Sequence, residues 1–149
     1  MNFNFLKTNP DKIIIRKLKD MQNRYKNINN NNPEKIIYKV YIKDFKTFEL
    51  GLTIIEPGKI NKEFFMTKGH KHLKKRKEIY ILLEGKGKLL IENKKIKIIN
   101  LKKDKPTIIP SNSGHRLINT GKTKMKVITI YSKDAGHNYN FKFKKRFFK

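Results

Sequence analysis

Gly69-His70-Lys71-His72 is followed at 78–83 by Glu-Ile-Tyr-Ile-Leu-Leu, at 85–87 by Gly-Lys-Gly and at 88–92 by Lys-Leu-Leu-Ile-Glu. Short apolar runs bounded by glycine are too brief for helices and read as strands. The same pattern extends outward in both directions. Residues 36–42, 47–55, 63–66, 95–99, 107–109, 115–119 and 124–131 are further strand candidates. Pro57-Gly58, Glu92-Asn93-Lys94 and Thr120-Gly121-Lys122 supply the turns between them. Many short strands without intervening helices predict an all-β antiparallel sandwich or barrel.

Only residues 8–25 carry a helix signal. Thr8 suits an N-cap, Pro10 and Asp11 suit the first turn, and Ile14, Leu18 and Met21 recur at helical spacing. The run from Asn27 to Asn32 before Pro33 reads as an exposed loop. Beyond Tyr139, Phe141 and Phe143 alternate with lysine, as a last edge strand or a frayed basic-aromatic end. The expected organisation is a helical segment and Asn-rich loop over 1–32, a barrel over 33–139 and a tail over 140–149.

At 149 residues with 37% apolar content, one domain with a modest core is expected. There is no cysteine, which excludes disulfides, thiolate metal sites and a cysteine nucleophile, and suits a reducing compartment. No apolar run is long enough to span a bilayer, and the first residues lack the apolar core of a signal peptide. A soluble cytoplasmic protein is expected. The net charge of +25 invites a nucleic-acid reading. Yet it comes from 32 Lys and only 5 Arg, beside 16 Asn and 21 Ile, all but Arg sharing A/T-rich codons. Specific readers of bases rely on the arginine fork, so no specific nucleic-acid partner is expected and the charge reads as solvated surface biased towards anionic ligands.

Histidine is scarce: His70, His72, His115 and His137 are the only four. On an extended strand, residues two apart share a face, so His70 and His72 can point inward together. Glu78 opens the next strand and His115 heads a distant one. Three imidazoles and a carboxylate suit a divalent ion with open coordination positions, as a catalytic site requires. Taken alone, the histidine pair reads more readily as two exposed loop residues beside a lysine cluster, with His115 capping a turn.

The surrounding punctuation extends the pattern. Glu78 with Gly85 forms one block, and Pro110, Gly114, His115 and Asn119 form another. Together they resemble the paired motifs of the cupin superfamily. Gly51-Leu52-Thr53-Ile54-Ile55, Pro57-Gly58-Lys59 and the run 63–72 narrow the resemblance to the cupin-type phosphoglucose isomerases of archaea. So do Glu78-Ile79-Tyr80, Gly85-Lys86-Gly87, His115-Arg116 with Ile118-Asn119, and Asp134-Ala135-Gly136-His137-Asn138-Tyr139. Arg16-Lys17-Leu18 with Asp20-Met21 fits the same family.

The resemblance implies a single-domain cupin double-stranded β-helix (a jelly-roll barrel) that interconverts glucose 6-phosphate and fructose 6-phosphate at one divalent metal. It implies His70, His72, Glu78 and His115 as ligands, with iron(II) first among iron, manganese, nickel and zinc. Thr53, Thr67, Gly69 and Tyr131 fall where the family holds phosphate; Tyr80, His137 and Tyr139 fall beside the sugar. Glu78, His137 and Tyr139 are the catalytic candidates. A homodimer is implied as well. Lysines around 68–75 are expected to draw in the dianionic substrate. Two other readings stay open: a metal-dependent cupin enzyme for a different small molecule, and a basic β-barrel that binds nucleic acid through its Phe-Lys tail.

Overall fold

The computed structural model describes residues 2–148; Met1 and Lys149, the outer ends of the two flanking segments, lie outside it. Twelve strands are ordered as β1 (Lys12–Lys17), β2 (Ile36–Asp44), β3 (Phe48–Ile55), β4 (Lys59–Ile60), β5 (Glu63–Phe64), β6 (His70–Lys71), β7 (Glu78–Glu84), β8 (Gly87–Glu92), β9 (Ile96–Asn100), β10 (Pro106–Ile109), β11 (Gly114–Asn119) and β12 (Met125–Ser132). A six-stranded sheet, β1-β2-β3-β12-β7-β10, packs against a four-stranded sheet, β6-β11-β8-β9, with β4 and β5 pairing separately. This is the expected jelly-roll barrel, and from β2 onward every long strand lies where short apolar runs predict one.

Alternation along the strands builds the interior. In β7, Glu78, Tyr80 and Leu82 are buried while Ile79, Ile81 and Leu83 are partly exposed on the outer face. Phe65, Met66, Leu89, Leu117, Met125 and Val127 fill the core between the sheets. Outside the large sheet, Leu6 of a one-turn helix α1 (Phe5–Thr8) packs on Leu52, Ile54 and Ile128. Among the described residues no helix is long and apolar enough to cross a membrane. Asn119, fully buried, ties its side-chain amide to the carbonyls of Ile55, Glu56 and Thr123 and so pins the turn that follows β11.

The helix expected over residues 8–25 is not there. A helix occurs earlier, and Thr8 ends it rather than capping a longer one. Residues 12–17 form β1, antiparallel to β2 from Lys12↔Ile42 to Arg16↔Tyr38, and only Leu18–Met21 make a 3₁₀ turn. Ile13, Ile14 and Ile15 are β-branched and prefer a pleated surface, and the open edge of β2 offers them a ladder. Tertiary pairing thus overrides a helical spacing that three apolar residues happened to satisfy.

The tail is neither frayed nor a long strand. The backbone N–H groups of Lys144 and Lys145 donate to the Glu92 carboxylate at 2.8–3.1 Å. The Phe64 N–H donates to the Phe147 carbonyl at 3.1 Å, and Phe147 is buried. Gly114 makes the contact possible, because a Cβ there would lie 2.1 Å from the Phe141 ring.

Candidate functional site

Gly69, at φ +69°, turns the chain into β6, a conformation that side chains other than glycine rarely take. β6 then pairs with β11 so that His70 lies directly opposite His115. Glu78 enters from the other sheet as the first residue of β7. Its Oε2 lies 2.7 Å from His115 Nε2, 3.2 Å from His72 Nε2 and 4.0 Å from His70 Nε2. Each of the four residues offers one ligand atom, and these atoms lie within 4.8 Å of one another. Glu78 and His115 are each 2% exposed.

The far ring nitrogens are held by backbone. His115 Nδ1 sits 3.2 Å from the Ser113 carbonyl and His72 Nδ1 sits 3.4 Å from the Arg76 carbonyl. When Nδ1–H donates there, the Nε2 lone pairs aim at the carboxylate. Although close, His70 Nε2, His72 Nε2, His115 Nε2 and Glu78 Oε2 make no well-directed hydrogen bond. Four buried lone-pair donors converging on one point lack only a positive charge, so the donor set fits a divalent metal ion. The directions for Glu78 and His70 agree, since both favour the lone-pair form. Burial pushes Glu78 up, but the adjacent histidines hold its carboxyl well below its ordinary range. Burial pushes His70 well down, whereas at His72 the Glu78 carboxylate outweighs burial and lifts it.

The short basic link between His72 and Glu78 also has structure. Arg76 pairs with Asp134 at 2.9–3.0 Å, while its carbonyl faces His72. The lysine-rich run is therefore partly a strap that steadies the His72 ring.

A cavity of about 340 Å³ opens above the four-residue cluster. Thr53, Thr67, Gly69, Tyr80, Tyr131, His137 and Tyr139 all line it, together with His70, Glu78 and His115. The His137 ring centroid is 4.3 Å from that of His70, and Tyr139 stacks on His137 at 5.7 Å. Burial lowers His137 below the usual imidazole range and raises Tyr80 far above the usual phenol range. Tyr131 donates its hydroxyl to Glu49 Oε2 at 2.6 Å.

Several lining residues escape a reading of the sequence. Lys12, Arg16 and Lys133 are the cavity's cations, and Lys68, Lys71, Lys74 and Lys75 are not among its walls. Arg16 and Lys12 face inward because β1 alternates, leaving Ile13 and Ile15 half-exposed outside. The Arg16 guanidinium lies beside Tyr38 and Tyr139 and partly offsets the rise that burial imposes on both phenols. The Tyr38 hydroxyl in turn accepts the Lys68 N–H at 3.2 Å, which places Arg16 at the Thr67–Gly69 end of the cavity. The available signal was strand periodicity: Lys12, Ile14 and Arg16 are two apart.

A family model described as glucose-6-phosphate isomerase (GPI) matches residues 19–147. The chain is 36% identical over 140 residues to a glucose-6-phosphate isomerase of Pyrococcus abyssi, covering 86% of this chain and 74% of that one. It is 36% identical over 141 residues to the enzyme of Thermococcus gammatolerans, with the same coverage. Among solved structures, an oxalate oxidase superposes with a TM-score of 0.59 at 16% identity, covering 70% of this chain and 55% of that one. The oxalate decarboxylase of Lactobacillus farciminis gives 0.56 at 23%, covering 68% and 30%. At such identities the likeness is one of fold alone, and this chain spans roughly a third to a half of those longer chains.

Proposed function

The chain belongs to the glucose-6-phosphate isomerase family, and on that premise we propose that it interconverts glucose 6-phosphate and fructose 6-phosphate at a divalent metal held by His70, His72, Glu78 and His115. The observation that carries the reading is the convergence of four buried donor atoms within 4.8 Å at the floor of a cavity walled by hydroxyls and cations. Imidazole and carboxylate donors suit iron(II), our first candidate, as well as manganese, nickel or zinc. When bound, the ion supplies Lewis-acid polarisation of two neighbouring sugar oxygens.

The chain's own groups do the rest. Arg16 and Lys12 draw the dianion to the cavity, and Thr53, Thr67 and the Gly69 backbone hold the phosphate. That anchoring lets remote binding energy orient the sugar over Glu78. Tyr80, Tyr131, His137 and Tyr139 wall the sugar and exclude water. Two routes for the hydrogen fit this arrangement. In one, Glu78 takes a proton from C2 and returns it to C1; in the other, the hydrogen passes directly as hydride between the two carbons; in both, the O2 hydroxyl proton moves to O1. Turnover in deuterated water separates them, since only the first route lets solvent deuterium enter the product.

Two further assignments belong to the proposal. Half-exposed Ile13, Ile15 and Phe48 leave apolar surface that a second copy covers in a homodimer. A cytoplasmic place in glycolysis or gluconeogenesis follows from the substrate pair. The test is conversion of fructose 6-phosphate to glucose 6-phosphate by purified protein, after chelation and after metal return. Activity is expected to vanish with chelator, to return with iron(II) and to require the phosphate. Unchanged turnover by chelated protein, or no turnover with any of the four metals in a folded protein, overturns the proposal.

A further inference from the structure

A second cavity, of about 540 Å³, is lined by Arg24, Arg116, Arg146, Lys142, Phe141 and Phe143. Arg116 follows the ligand residue His115, and strand alternation sends the two side chains to opposite faces of β11. The composition makes the lining notable. Of 37 basic residues 32 are lysine, and three of the five arginines border this one cavity. A merely solvated surface is already supplied by lysine; what is concentrated here is the planar guanidinium fork, suited to phosphate oxygens.

The charges around the cavity do not balance. Among the described residues Glu63 is the one carboxylate in contact with these guanidiniums, and Arg146 takes it. Arg116 and Arg24 spend N–H groups on the Lys68 carbonyl, at 2.8 and 3.2 Å, and Arg24 also donates to the Tyr139 carbonyl. Arg116 is 6% exposed and stacks over Phe143, 4.2 Å from the ring centroid. The buried Nε–H groups of Arg116 and Arg146 have no acceptor. The volume falls in the range of about 300–1,000 Å³ typical of small-molecule sites, with room for more than a bare ion.

We propose that this cavity is a second anion site, which takes a small phosphate-bearing molecule between Arg24, Arg116 and Arg146, with the organic part against Phe141 and Phe143. Two of these guanidiniums, those of Arg24 and Arg116, hold the Lys68 carbonyl, one residue before Gly69-His70, so the site is mechanically joined to the segment that carries His70 and His72.

Five arginines give five Nε–Hε signals in an NMR spectrum of the full chain, assignable through Arg→Lys variants. Inorganic phosphate, titrated at constant ionic strength, is expected to shift the Arg24, Arg116 and Arg146 signals together and saturably, and to leave Arg76 unmoved. A shift confined to Arg16 puts the anion in the first cavity alone, and equal, unsaturating shifts of all five are charge screening; either overturns the proposal. Arg24→Lys is expected to weaken phosphate binding about tenfold. Glu63→Gln keeps the shape, removes the opposing carboxylate and is expected to tighten binding several-fold. Unchanged affinity in both variants, with native circular dichroism, reduces the arginines to clamps for the tail and sinks the idea. No turnover is measured, so this result is independent of the isomerase assay.

Discussion

The floor and the rim of the first cavity are built on opposite principles. At the floor, His115 sits on β11, which is paired on both sides, by β6 and β8, and Glu78 sits on β7, paired on both sides by β12 and β10. Both side chains are almost fully buried. At the rim, Lys12 and Arg16 ride on β1, an edge strand with one partner, and reach in from solvent. The floor is held before any substrate arrives, which is what electrostatic catalysis demands, because groups that need no reorganisation stabilise charge most effectively. The rim carries its cations on long side chains, which on the proposed reading attract the substrate and adjust to it. Changes at the floor should therefore act on turnover, and changes at the rim on apparent affinity.

The largest expected effect is at the floor. His115→Ala removes one of four donors and leaves Glu78 facing two imidazoles. Metal content is expected to fall below stoichiometric, and turnover by at least about 10³-fold, with the fold retained. Elemental analysis, rate assay and circular dichroism measured together check this. Activity persisting at native level would remove His115 from the site.

Arg16→Ala should act in the other way. Losing one charge-assisted contact is expected to raise KM about tenfold or more while kcat changes by less than about threefold. Arg16→Lys restores the charge without the fork and should recover only part of the loss. A fall in kcat at unchanged KM would move Arg16 from the rim's role to the floor's. Thr67→Ala is a milder case. Its hydroxyl already accepts the Leu117 N–H at 3.1 Å, so only its own hydrogen is left for a ligand. An increase in KM of about threefold to tenfold is expected for phosphorylated sugar. A comparable loss with a non-phosphorylated analogue would mean that the β11 contact, rather than phosphate, is what matters.

The same contrast explains what could be read before the fold was known. His70, His72 and His115 belong to a scarce residue type whose spacing, with Glu78, has a chemical meaning, and the strands carrying Glu78 and His115 are long enough to show their period. Lys12, Ile14 and Arg16 use the commonest residue types of this chain, and Ile13-Ile14-Ile15 satisfies a period of two or of 3.6 almost equally. What decides between the two is the vacant edge of β2, and that lies in the tertiary structure. The tail was opaque for a similar reason: nothing local in Phe-Lys alternation says that Glu92, some fifty residues away, will bind the backbone N–H groups of Lys144 and Lys145. The Arg24–Arg116–Arg146 group is assembled only when three distant segments meet.

The smallest effect tests how firmly the rim strand is pinned. Where β1 ends, Lys17 and Lys19 both reach Glu34, at 2.5 and 2.6 Å, across the Asn-rich loop. Hydrogen bonds from Lys17 first and Lys19 second hold the Glu34 carboxyl down from 4.5 to about 2. A depressed folded-state value means that the pairing stabilises the protein above the unfolded value near 4.5 and that this contribution is lost as pH falls towards 2. The groups are exposed, so solvent screens the pair, and Glu34→Gln is expected to shift Tm at pH 7 by no more than about 2 °C. Carboxyl carbon shifts followed by NMR give the direct reading, with Glu34 expected to titrate well below the other exposed glutamates. A midpoint near 4.5 would show that the bridge does not persist in solution, and β1 would then be anchored without it, by its ladder with β2, by the backbone bonds of Leu18 and Lys19 to Lys35 and Pro33, and by buried Leu18 and Met21. In that case the rim is looser than the geometry implies, and the KM penalty of Arg16→Ala should shrink with it.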